Sequence, residues 1–78
     1  MNHKENLTRL IVEANIVLKK AKSNIDDTIK YYYNLSRFFT KIDAIRKELN
    51  LLEIMEYHIP SDLYEEALKL INTVGDEE

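Results

Sequence analysis

Between residues 29 and 42, five of the chain's seven aromatic side chains (Tyr31, Tyr32, Tyr33, Phe38 and Phe39) are interleaved with Lys30, Arg37 and Lys41. Rings on which bases can stack, alternating with cations that can meet phosphates, are the chemistry by which proteins hold single-stranded nucleic acid. Lys30, Tyr32, Arg37 and Lys41 are therefore candidate nucleic-acid contacts. A plainer reading competes and is preferred: Tyr31 and Phe38 fall on the core seam of a helix, Tyr32 and Phe39 on its flank, and the bases on a solvated face. The overall charge points the same way, since duplex binders are usually basic domains with pI above about 9, whereas this chain carries a net charge of −3 and a pI of 5.4. Tyr33 escapes the plain reading. It falls on the far side of the same helix, near Arg37 and Ala44, where an exposed tyrosine is of the type enriched at protein interfaces.

Acid–base or metal chemistry finds less material. His3 and His58 are the only histidines, and there is no cysteine. Neither histidine has a second ligand at a recurrent metal spacing, with His3 expected in a fraying terminus and His58 in a loop. Glu56, Tyr57 and His58 form an acid–base trio in sequence, but no nucleophile or Gly-rich phosphate loop accompanies them. The expectation is a non-enzymatic protein with no metal and no cofactor.

Charge is distributed unevenly. Ten of the eleven Lys and Arg residues lie at or before Lys47, and nine of the fourteen Asp and Glu residues lie at or after Glu48. Residues 1–47 carry a net +5 and residues 48–78 a net −8. Glu48, Glu53, Glu56, Asp62, Glu65 and Glu66 make the C-terminal third acidic enough to engage a basic partner, beyond what solubility requires. Lys19, Lys20 and Lys22 close the first helix, where cations also satisfy the helix dipole.

A chain of 78 residues makes one domain with one modest core. With one Gly, one Pro, 45% apolar and 32% charged residues, it holds almost no material for hairpin turns or flexible linkers, so an all-α fold is expected. No apolar run approaches the roughly 20 residues of a membrane span, and the first six residues are too polar to open a secretory signal. A soluble protein of the cytoplasm is the expectation.

Three helices must position these side chains. Leu7, Leu10, Ile11, Ala14, Val17, Leu18, Ala21 and Ile25 keep the i, i+3, i+4 rhythm of one face, placing a first helix over residues 4–22, with Val12 and Ile16 as a small apolar patch on its opposite side. Ser23 and Asn24, followed by Asp26 and Asp27, predict a break and an N-cap there. Tyr31, Leu35, Phe38, Ile42, Ile45, Leu49 and Leu52 step 4-3-4-3-4-3, a strict seam of the kind used by coiled coils and antiparallel bundles, which predicts a long second helix over residues 25–57. Pro60 is expected to stop it. Ser61 or Asp62 then caps a third helix over residues 62–74, buried through Leu63, Ala67, Leu70, Ile71 and Val74 and ended by Gly75 at C′. Asp76, Glu77 and Glu78 read as a frayed acidic tail.

The economical arrangement lays the two shorter helices antiparallel along the long one, one per half. Val12, Ile16, Leu51, Ile54 and Met55 are then left as surplus apolar surface that calls for a partner chain or a self-dimer. The sequence thus predicts a protein–protein interaction module: an accessory subunit, adaptor or stoichiometric inhibitor. Its contact is placed at Leu51, Ile54 and Met55, with Tyr33 as a second anchor and Glu53, Glu56, Glu65 and Glu66 steering association. The partner is another protein, or the chain itself as a homodimer, and no membrane. Nucleic acid is the second choice, and self-association as a structural helical protein the third.

Overall fold

The strict spacing from Tyr31 to Leu52 is realised as the buried seam of a helical hairpin. A computed structural model describes residues 3–77, and their side chains as far as Thr73. It contains α1 (His3–Ser23), α2 (Thr28–Ile54) and α3 (Ser61–Glu77). Leu35, Phe38, Ile42, Ile45 and Leu52 of the seam are buried, with Tyr31 and Leu49 packed at its edge. They meet Leu7, Ile11, Ala14 and Val17 of α1 in one cluster. Each large apolar side chain buried there removes enough surface from water to contribute about 1.5–3 kcal/mol.

The hairpin turn sits where the sequence breaks, but its cap is three residues later than expected. The Ser23 hydroxyl and the Asn24 amide donate backward to the Lys19 and Lys20 carbonyls, at 2.9 and 2.7 Å, and so finish α1 instead of starting α2. Asp27 is the N-cap: its backbone is extended, and its carboxylate accepts from the Lys30 amide at 3.2 Å. Ile25 belongs to this turn and is exposed, so it is not part of the α1 stripe.

The far end of α2 also differs from expectation. The helix closes at Ile54, six residues before Pro60. Glu56 turns into the left-handed region at φ 56°, its amide bonds the Glu53 carbonyl at 3.0 Å, and the Tyr57 amide bonds the Leu52 carbonyl at 2.9 Å. This pair of bonds is a Schellman motif, which stops a helix without proline. Pro60 serves α3 instead, accepting from the Tyr64 amide at 3.0 Å. Ser61 and Asp62 therefore lie inside the first turn of α3, and are not its caps. At the other end α3 runs through Gly75, where the sequence suggested a stop, and takes in Asp76 and Glu77. The expected burial of Val74 and the position of Glu78 lie outside what is described.

The shorter helices do not divide the long one between them. α1 packs along α2, and α3 lies against both, burying Ala67 and Leu70 with Leu63 and Ile71 beside them. At 1.5 Å per residue α2 spans about 40 Å and α3 about 26 Å. The molecule measures 43 × 23 × 18 Å.

His3 is held in place, contrary to the fraying expected of it. Its ring meets Tyr57 edge-on, with centroids 5.6 Å apart, and its Nδ1 lies 3.4 Å from Glu48.

Candidate functional site

A two-residue step along α2 separates core from solvent. Leu52 is 1% exposed, while Leu51 is 45% and Ile54 80% exposed, and Met55 is half exposed beside them. Helical geometry explains the division: α1 and α3 cover the seam side of α2, and residues about half a turn away face outward. Tyr33 lies on that same outward face, 62% exposed, with the Arg37 guanidinium 5.9 Å from its ring centre in cation–π geometry.

The structure adds residues that sequence reasoning passed over. Ile29 is 82% exposed and lies one turn before Tyr33, while Tyr32 is 62% exposed at the flank of the seam, where its ring meets Tyr31 edge-on. The outward face of α2 thus carries an apolar cluster at each end: Ile29 and Tyr33, with Tyr32 at their edge, near the hairpin turn, and Leu51, Ile54 and Met55 near the Schellman turn. Between them stand Ser36, Thr40 and Ala44 together with the exposed charges of Arg37, Asp43 and Lys47. The signal was present as a second stripe opposite the seam, masked because its middle is polar. Val12 and Ile16 form a separate half-exposed patch on α1.

Of the acidic residues, Glu53, Glu56, Glu65 and Glu66 are all exposed. Glu56 follows the apolar cluster directly in the turn, whereas Glu65 and Glu66 are displaced onto α3. Glu53 lines a groove of about 510 Å³ between α2 and α3, together with Arg46, Leu49, Tyr57, Tyr64 and Leu68. His58 also lines it, and among the described lining residues there is no Ser, Thr or Cys.

The nucleic-acid candidates are less well gathered. Lys30, Tyr32 and Arg37 are exposed on α2, but Lys41 is not on the solvated face where it was expected. Its ammonium donates to Glu13 at 2.8 Å, fastening α2 to α1. This bond, more than any other influence, holds the Glu13 carboxyl below its ordinary value; partial burial opposes the shift, and the charges of Lys41 and Arg9 reinforce it. Tyr31 and Tyr32 pack edge-on at 5.3 Å, and Phe38 and Phe39 at a tilt at 6.1 Å, so four of the five rings lie against a neighbouring ring.

Among the described residues no group of His, Cys, Asp and Glu is placed to hold a metal ion. No helix among them is long and apolar enough to cross a membrane. Comparison with models of known protein families, with curated proteins and with solved structures finds no match.

Proposed function

We propose that this chain is a non-enzymatic protein–protein interaction module whose contact surface is the outward face of α2. The observation that carries the reading is the exposure of Leu51, Ile54 and Met55 beside the fully buried Leu52. Three large apolar side chains held together in water on a rigid helix are a liability unless covered, and rigid apolar anchors are what concentrates binding energy at interfaces. Tyr33, stiffened by Arg37, supplies a second anchor on the same face. Glu53 and Glu56 flank the C-terminal anchor with negative charge and favour a partner whose apolar patch has a basic rim, while Glu65 and Glu66 add to the acidic field from α3.

A photo-crosslinking amino acid at position 54, compared with one at Thr8 on the exposed side of α1, tests this in cells. The reading expects a covalent adduct from position 54 that is absent from position 8 and is lost when Leu51→Ser and Met55→Ser are added. No adduct from position 54, or one indifferent to those substitutions, overturns it.

A further inference from the structure

The basic-rimmed apolar patch that the acidic end of α2 would suit is present on the molecule itself. Ile25, Ile29, Tyr32 and Tyr33 are exposed around the hairpin turn. Residues 19–37 around them carry five cations (Lys19, Lys20, Lys22, Lys30 and Arg37) against two acids, Asp26 and Asp27, and Asp27 is engaged as a helix cap. The opposite end of the hairpin presents Glu53, Glu56 and Asp62, with Glu65 and Glu66 farther along α3 and no Lys or Arg between residues 53 and 66.

The two apolar clusters are also symmetric in position. Ile42 stands midway in sequence between Tyr33 and Leu51, between Ile29 and Met55, and between Thr40 and Ala44. Because α2 is one uninterrupted helix over Thr28–Ile54, equal sequence intervals are equal distances along one axis. A two-fold axis at the height of Ile42, perpendicular to α2, therefore lays Tyr33 of one copy level with Leu51 of the other, and Ile29 level with Met55. It does so twice, once at each end, as an isologous contact requires. Thr40 and Ala44 flank the crossing point, where small side chains let two helices approach to the 8–10 Å of close packing, and about one turn beyond Ala44 the exposed Lys47 is held by Asp43 at 3.2 Å. The same operation sets each basic turn end beside an acidic end, whereas a parallel pairing would set like charge on like and leave each cluster facing itself.

We infer that the occupant of the α2 outward face is a second copy of this chain, packed antiparallel about Ile42 with Ile29, Tyr32 and Tyr33 of each copy against Leu51, Ile54 and Met55 of the other. The inference rests on the interaction reading above and names its partner. Charge complementarity orients the pair and speeds its encounter; the apolar clusters hold it.

Sedimentation equilibrium of the full chain from micromolar to millimolar concentration is the test, run at low and high salt. The expected result is a monomer–dimer equilibrium that loosens as salt is raised. The double variant Leu51→Ser, Ile54→Ser should raise the dissociation constant at least tenfold while keeping its helical circular dichroism. Orientation is read separately, by mixing single variants Ser36→Cys and Lys47→Cys, which leave both clusters intact in a chain free of native cysteine. Under mild oxidation the antiparallel dimer gives the mixed 36–47 disulfide. Disulfides of 36 with 36 and 47 with 47 overturn the arrangement, as does a dimer indifferent to the double variant. A monomer at every concentration also overturns it. The broader reading survives that last result only if the crosslinker at position 54 still captures a different protein, and falls with it otherwise.

Discussion

The Lys41 ammonium lies 2.8 Å from a Glu13 carboxylate oxygen, so the middle of α2 is tied to the middle of α1 by a charged hydrogen bond across 28 residues of sequence. The folded protein therefore holds the Glu13 proton less readily than the unfolded chain. The stabilisation is fully present above the ordinary carboxyl value of 4.5 and is lost as pH falls through the lower folded value. Glu13→Gln is expected to lower stability at pH 7 by at most about 1 kcal/mol, since both partners are partly solvated. Urea unfolding midpoints of parent and variant should converge at pH values well below 4.5. A gap that persists in acid would assign the loss to packing.

Glu56 holds a left-handed backbone that costs a residue with a Cβ roughly 1 kcal/mol and glycine almost nothing. Glu56→Gly is therefore expected to stabilise the protein, by about 0.5–1 kcal/mol in chemical unfolding, because the Schellman bonds to Leu52 and Glu53 remain available. A destabilised variant would mean that the Glu56 side chain contributes something to the folded state beyond the turn.

Leu51 and Leu52 adjoin in sequence and should respond oppositely to truncation. Leu52→Ala empties part of the shared core of the hairpin and is expected to cost about 2–5 kcal/mol, enough to threaten a fold of this size. Leu51→Ala is expected to stay within about 0.5 kcal/mol, as surface substitutions do. Thermal unfolding of both variants checks this, and equal losses would place Leu51 in the core.

The second helix was legible because seven apolar residues on one face cannot be buried in any other register. The break after Ser23 was legible too, but not the identity of the cap. Ser23, Asn24, Asp26 and Asp27 are all competent to cap, and which one does so depends on where the first helix exhausts its own carbonyls. At the other end Pro60 drew attention as a helix breaker while Glu56 did the breaking, and a glutamate in the left-handed region leaves no trace in composition. The exposed cluster at Leu51, Ile54 and Met55 was visible as an excess of apolar residues around one turn. Its counterpart at Ile29 was hidden because the middle of that face is polar, so no continuous apolar stripe runs opposite the seam. The resting place of α3, against both other helices, depends on packing between distant segments, which periodicity within a segment does not encode.

The charge along α2 changes sign between Lys47 and Glu48, within a molecule 43 Å long. At physiological ionic strength the Debye length is about 8 Å, several times shorter than that span. An approaching molecule therefore senses one end at a time and never the net charge of −3. A highly charged polymer or surface of either sign will find an attractive end and a repulsive one, and will select the molecule's orientation before any contact is made. Ion-exchange behaviour should follow the same rule, with retention on both anion and cation resins that the sequence pI of 5.4 does not foretell.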